Sequence, residues 1–259
     1  MHYCVYGHGA KLLFCLHGYG EDAESFAILK EKLGKIYTLI AIDMPFHGQT
    51  QWKEGLSFLP QQLVAIMHQI QATNQLLNQS TFSLLGYSMG GRVALQLIQN
   101  IPNVIERAVL IAPDGLHRSF WYNFSTQNYF GNKLFRRAMY KPARFFWFLK
   151  KAEQYKLLHQ SIIKVAHYYL DDAEERIKLY ERWTTMRAFK PNLPALKKMI
   201  TQYQIPVRLL FGKYDGIILS SRSDFLKDDI QNVQIQVIEA GHRLLQEKYA
   251  DVIAGMFYQ

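Results

Sequence analysis

The chain has 259 residues, 49% hydrophobic and 20% charged, enough apolar material for a sizeable core, which excludes a disordered or fibrous polypeptide. Its formal net charge of +9 is confined to one segment: residues 117–200 hold 17 Lys/Arg against 6 Asp/Glu, and the remainder holds 13 against 15. Those 84 positions also carry 18 of the 36 aromatic residues, and no nucleic-acid-binding motif accompanies the charge, so an inserted module is expected and nucleic acid is not an expected partner.

Met1-His2-Tyr3-Cys4-Val5 lacks the basic stretch and apolar run of a signal peptide, and no window reaches the ~18 apolar residues of a membrane span. A cytoplasmic location is expected. Cys4 and Cys15 have no CxxC spacing and read as free thiols. Short apolar runs at Lys11–Leu16, Tyr37–Ile42, Thr81–Leu85, Arg107–Ala112, Val207–Phe211 and Val233–Ile238 predict strands. Several are apolar on both faces, as in a parallel sheet covered by helices. Leu59, Leu63, Ile66, Ile70 and Leu77 recur at helical spacing and predict a crossover helix. Further helices are predicted from Met89 to about Asn100, before Pro102, and from about Leu245 to Phe257. Between Leu116 and Leu196 strand signals vanish and the pattern is helical, basic and aromatic.

Phe82-Ser83-Leu84-Leu85-Gly86-Tyr87-Ser88-Met89-Gly90-Gly91-Arg92 reads as a strand, a glycine-flanked serine and a helix. A serine presented on so sharp a turn needs small residues two before and two after it, and Gly86 and Gly90 meet this. Its hydroxyl then lies at a helix N-terminus, where the Met89 N–H can stabilise an oxyanion. A nucleophilic serine also needs a base and a group that orients the base. Asp215 follows the strand Val207–Phe211, and His242 follows Val233–Ile238 and Glu239-Ala240-Gly241.

In this order, Ser88, Asp215 and His242 resemble the triad of the α/β-hydrolase superfamily, and the resemblance extends over nearly the whole chain apart from the helical insertion. It implies a mostly parallel sheet flanked by helices, with a cap inserted after the sixth strand of that fold. The core is expected at 1–115 and 201–259, and the cap at 116–200. Asp114, in Ala112-Pro113-Asp114-Gly115, competes with Asp215 for the acid role, its other reading being a turn residue. His68, His159 and His167 lie in helical patterns and read as surface or core residues. Leu16-His17-Gly18-Tyr19-Gly20 resembles the family's oxyanion loop. The resemblance makes the Tyr19 N–H the second oxyanion donor beside Met89, and His17 a brace of the loop or a substrate contact. Asp43-Met44-Pro45-Phe46-His47-Gly48-Gln49-Thr50 resembles the D-x-x-G-H-G-x-S turn, with Phe46 replacing glycine and Thr50 serine. A slightly different turn is implied, without catalysis by Asp43 or His47. No metal or organic cofactor is implied.

Arg92 lies one helical turn beyond Ser88 and either reaches a substrate carboxylate or pairs locally. The elbow also resembles that of the menaquinone-pathway lyases (SHCHC synthases), which use the same triad as a base and arginines to hold carboxylates. The insertion offers Arg118, Arg136, Arg137, Arg144 and Arg187 for such a role. Residues Arg136 to Lys151 form a basic aromatic stretch including Phe145, Phe146, Trp147 and Phe148. It packs cap helices, lines an acyl pocket or touches an anionic membrane or lipid. Tyr87 and Trp147 join His17 and Arg92 as candidate substrate contacts. The expected function is a serine hydrolase acting on a small-molecule acyl substrate, amphiphilic or anionic, through a Ser88 acyl-enzyme. A lyase and a non-turnover sensor of the same fold are the alternatives.

Overall fold

A computed structural model describes residues 1–76, 78–117, 119–155, 170–227 and 232–258. Leu77, Arg118, His159 and His167, named above, lie outside them. The described residues fall into two compact units. One comprises residues 1–53, 59–117 and 188–259, the other residues 54–58 and 118–187.

The strands are β1 (Tyr3–Tyr6), β2 (Lys11–Leu16), β3 (Tyr37–Ile42), β4 (Phe82–Tyr87), β5 (Ile105–Ile111), β6 (Val207–Gly212) and β7 (Val233–Ile238). The principal helices are α1 (Pro60–Thr73), α2 (Met89–Asn100), α3 (Phe120–Gln127), α4 (Tyr129–Tyr140), α5 (Ala143–Gln154), α6 (Ala173–Thr185), α7 (Leu193–Gln202) and α8 (Ala250–Gly255). The first unit holds a seven-stranded sheet in the order β1-β3-β2-β4-β5-β6-β7. Only β1 runs antiparallel to its neighbour; every other pairing is parallel. This is the α/β-hydrolase fold expected from the sequence. In this chain the helical insertion lies between β5 and β6.

The central strands are buried on both faces, Leu12 to Leu16 and Phe82 to Tyr87 throughout, which is why they read as continuous apolar runs. At the edge, no residue of β7 is fully buried, and Gln234, Gln236 and Val237 are exposed. In α1 the core face is Leu63, Met67 and Ile70, at i, i+4 and i+7. Leu59, expected on that face, is exposed because it caps the helix, its N–H donating to the Gln62 side chain at 2.7 Å. The expected C-terminal helix is shorter than its periodicity: Gln246 is extended, a single 3₁₀ turn spans Glu247–Tyr249, and α8 covers only Ala250–Gly255. Cys15 is buried and Cys4 half-buried, both as free thiols. Burial pushes the Cys15 thiol up, which keeps it protonated.

One buried carboxylate ties β1 to the loop after β3. Asp43 Oδ1 accepts from the Ala23 N–H at 2.7 Å, and its Oδ2 from the Gln49 N–H at 2.8 Å and lies 2.6 Å from His2 Nδ1. Thr50 closes the ring, its hydroxyl donating to Asp43 O at 2.7 Å and accepting from the His2 N–H at 2.9 Å. Phe46, where the resemblance expects glycine, has φ 63°, the left-handed region that glycine supplies without strain.

In the second unit, Met139, Leu170 and Tyr180 form a buried cluster with Leu56, Phe135, Phe145 and Phe146 against it. Arg176 is buried, its Nε donating to Met139 O at 3.2 Å and a guanidinium nitrogen to Asp171 O at 2.9 Å, so the guanidinium joins the end of α4 to the segment before α6. Of the four aromatic residues in α5, Phe145 and Phe146 pack inward while Trp147 and Phe148 are exposed. Among the described residues no helix is long and apolar enough to cross a membrane, and no His/Cys/Asp/Glu group could hold a metal ion.

Replacing Asp43 by Ala strands the buried Ala23 N–H and the partly buried Gln49 N–H, so Asp43→Ala is expected to cost about 3 kcal/mol of unfolding free energy. A urea titration checks this, and a loss below 0.5 kcal/mol would show that the ring is dispensable.

Candidate active site

Ser88 joins β4 to α2 in a backbone conformation, φ 49° and ψ −112°, that a side chain rarely adopts. The turn persists because its surroundings over-determine it. The Ser88 N–H donates to Ile111 O at 2.9 Å, while Ser88 O accepts from the N–H groups of Gly91 at 2.9 Å, Arg92 at 3.3 Å and Asp114 at 2.9 Å. Gly86 and Gly90 are obligatory for a steric reason. A Cβ on Gly86 would lie 2.6 Å from Gly90 O, and one on Gly90 only 1.9 Å from Leu16 O.

His242 Nε2 lies 3.1 Å from Ser88 Oγ, and its Nδ1 lies 2.7 Å from Asp215 Oδ2. Asp215 is buried at the end of β6, and its Oδ1 accepts from the N–H groups of Ile217 at 2.7 Å and Ile218 at 2.9 Å. Three donors thus converge on an acceptor-only carboxylate, the Nδ1–H of His242 among them. That tautomer leaves Nε2 free to accept a proton from Ser88. Asp114 is elsewhere engaged: it accepts from the Gly115 N–H at 2.7 Å and pairs with Arg92 at 3.4 Å. The structure therefore brings Ser88, His242 and Asp215 together and leaves Asp114 in its turn.

The loop after β2 passes directly beside Ser88. A Cβ on Gly18 would lie 2.9 Å from Tyr87 Cδ1 and 3.5 Å from Ser88 Cβ, so only glycine lets the Tyr19 backbone come this close. His17 is fully buried, its Nε2 accepting from the Met44 N–H at 3.0 Å and its Nδ1 donating to Gly18 O at 2.8 Å. It braces the loop against the turn after β3. The Tyr19 ring is half-buried, 6.0 Å from the His47 ring. Met89, at the first position of α2, has one of the helix N–H groups without an intrahelical partner.

Tyr87 takes a role that its sequence position did not suggest. Its hydroxyl donates to His242 O at 3.0 Å, and its ring lies 5.6 Å from the imidazole, so it holds the backbone of the histidine. Burial, then the charges of Glu21 and Asp215, push its phenol up, which keeps it a donor. Arg92 has a side chain only 7% exposed, packed over Gly115 and paired with Asp114. Trp147 belongs to the helical unit and is exposed there.

Sequence reasoning missed Glu21. Burial raises its carboxyl to about 7, with Asp22 raising it further and Arg243 and a Gly18 hydrogen bond lowering it. Its Oε2 is buried without a hydrogen-bond partner among the described residues. The only signal was an acidic residue directly after His17-Gly18-Tyr19-Gly20, and nothing local discloses its burial.

The sheet order, the elbow and the aligned Ser, His and Asp define an α/β hydrolase fold. The chain belongs to that family: its model matches residues 11–249. Among curated relatives, the monoacylglycerol lipase ABHD6 of Mus musculus is 24% identical over 257 residues, covering 93% of this chain and 73% of that protein. A shorter likeness, 29% identical over 113 residues, spans 44% of this chain and only 29% of the dihydrolipoyllysine-residue acetyltransferase component of the acetoin cleaving system of Cupriavidus necator. Among solved structures, MenH from S. aureus superposes with a TM-score of 0.68 at 20% identity, covering 99% of this chain and 98% of that one.

The Glu21 carboxyl binds its proton more tightly folded than unfolded, about 7 against 4.5. Its stabilising contribution is therefore complete below about pH 4.5 and lost as pH rises through about 7. Because the group is only partly buried, Glu21→Gln should stabilise the protein by about 1–2 kcal/mol at pH 8 and leave it unchanged near pH 4.5. Urea titrations at the two pH values check this; equal effects at both would contradict the shift.

Proposed function

We propose that the chain is a serine hydrolase that cleaves a carboxylic ester or related acyl bond through a Ser88 acyl-enzyme. The observation that carries this reading is the continuous relay from Ser88 Oγ to His242 Nε2, 3.1 Å, and from His242 Nδ1 to Asp215 Oδ2, 2.7 Å. Ser88 Oγ attacks the acyl carbon as its proton passes to His242 Nε2. The N–H groups of Met89 and Tyr19 stabilise the developing oxyanion. His242 then returns the proton to the leaving alkoxide as the ester bond breaks. Water, deprotonated by the same imidazole, cleaves the acyl-enzyme and restores Ser88. Asp215 holds the imidazole tautomer and stabilises its charged form.

The helical unit acts as a cap in this reading. Its 14 Lys/Arg against 7 Asp/Glu, counted over residues 54–58 and 118–187, support an amphiphilic or anionic acyl substrate. The lyase reading asked Arg92 to hold a substrate carboxylate; with its side chain 7% exposed against Asp114, Arg92 gives that reading no support over acyl transfer.

A fluorophosphonate probe should label Ser88, with labelling abolished in Ser88→Ala and slowed in His242→Ala. Peptide mass spectrometry reads the site, and an unlabelled wild-type protein would point to a sensor instead. Asp215→Asn should lower kcat for an activated ester by about 10³–10⁴. Among esters of equal chain length, those bearing a carboxylate should be turned over faster than neutral ones; a preference for neutral esters would remove the anionic assignment.

A further inference from the structure

The helical unit contains a cavity of about 460 Å³, within the range of small-molecule sites, lined by Lys133, Arg136 and Arg187 together with Thr126, Asn132 and Tyr180. Among the described residues no Asp or Glu lines it, and none of the three cations is ion-paired with a described carboxylate. Lys133 and Arg136 are three residues apart on α4 and therefore share a face, where like charges repel. Arg187 comes from beyond α6 and is held by its carbonyl, which accepts from Gln127 Nε2 at 2.8 Å.

The wall itself is well fastened. Asn132 Nδ2 donates to Ser125 O at 2.8 Å and to Thr184 Oγ1 at 3.1 Å, and its Oδ1 accepts from the Tyr180 hydroxyl at 3.2 Å. One amide thus ties α3, α4 and α6 together around the cavity. Three cations are gathered at a preformed concavity without a counter-charge, an arrangement that an anion would relieve.

A second concavity of about 340 Å³ adjoins the first, sharing Gln127 and Asn128 with it, and its remaining lining is Phe120, Asn123 and Phe124. The Phe120 and Phe124 rings are stacked 6.2 Å apart, and Phe120 is 70% exposed. A cationic bowl therefore opens beside an aromatic trough. A free inorganic anion would use only the first, and an uncharged chain only the second.

We propose that these two concavities form one binding site for a single-chain amphiphile with an anionic head, a carboxylate or a phosphate monoester. The head sits among Lys133, Arg136 and Arg187, and the chain lies along Phe120 and Phe124. Every residue of the site lies in the helical unit, whereas Ser88, His242 and Asp215 lie in the other. The proposal accordingly stands apart from the acyl-transfer reading and does not require it.

Isothermal titration of the full chain with monomeric dodecyl phosphate, dodecanoate, dodecanol and inorganic phosphate tests it, on wild type and on Ser88→Ala in parallel. Binding should be the same in both proteins, whether or not Ser88 proves to be a nucleophile. Dodecyl phosphate and dodecanoate should each bind at least tenfold more tightly than dodecanol or phosphate. Lys133→Gln and Arg187→Gln should each weaken the anionic amphiphiles about tenfold, as expected for one charge-assisted contact, without affecting dodecanol. Phe124→Ser should weaken dodecyl phosphate and leave phosphate unchanged. Unaltered melting temperatures of these variants would show that the fold is kept. Equal affinity for dodecanol, indifference to both cation substitutions, or binding confined to vesicles containing phosphatidylglycerol would overturn the proposal, the last in favour of a membrane surface.

Discussion

The strained turn at Ser88 is the constraint around which the sheet unit is arranged. A φ of 49° costs a serine on the order of 1–3 kcal/mol, and the cost is met by contacts available where β4 and β5 end side by side. The Ser88 carbonyl collects three N–H donors, one of them from Asp114 after β5, while its N–H reaches Ile111 on the same strand. The turn is therefore not a local property of Gly86-Tyr87-Ser88-Met89-Gly90. It depends on β5 being parallel to β4 and in register with it, Tyr87 opposite Ile111. The same register explains Asp114: it serves the elbow through its backbone and Arg92 through its carboxylate, and so is committed to structure.

From that turn the rest of the site follows by steric exclusion. Gly90 must touch Leu16 O, and Gly18 must pass Ser88, so the end of β2 is pressed against the start of α2. His17 then has nowhere to go but inward, where its two nitrogens meet the backbone of Met44 and Gly18. Tyr87, pointing to the other side of the strand end, reaches the carbonyl of His242 across 155 positions of sequence. Nucleophile and base are thereby fixed to adjacent residues, Ser88 by its backbone and His242 through the Tyr87 hydroxyl. A shift of the β7 loop would be felt at both ends of the Ser88 to His242 contact.

How far this was legible in the sequence depended on whether the determining interaction is local. Strands β2, β3 and β7 could be read to the residue, because apolar runs bounded by turn residues carry their own signal. Strand β1 could not, since four half-exposed residues become a strand only through an antiparallel ladder with β3. The C-terminal helix was read too long because Leu244 and Leu245 are buried by packing in an irregular segment, and burial mimics helical periodicity. Ser88, Asp215 and His242 were legible because each follows a strand end, a position that sequence does encode. The Tyr87 hydroxyl contact, the burial of Glu21 and the capture of Arg92 by Asp114 were not, since each arises from residues made neighbours by the fold. Helical periodicity likewise does not state which body a helix packs on, and α7 groups with the sheet.

The division of charge between the units has a physical consequence for the helical one. Among the described residues its buried cluster leans on Arg176, whose guanidinium donates to the Met139 carbonyl at the end of α4 and to the Asp171 carbonyl before α6. The remaining cations stay at the surface, where Lys133 and Arg136 share a helical face. Acidic residues three or four positions away relieve such repulsion, as Glu174 and Glu175 do for Lys178 on α6. Among the described residues no such relief surrounds Lys133, Arg136 and Arg187, in a unit that uses it on α6, an arrangement that suits the anionic head proposed for the cavity they line.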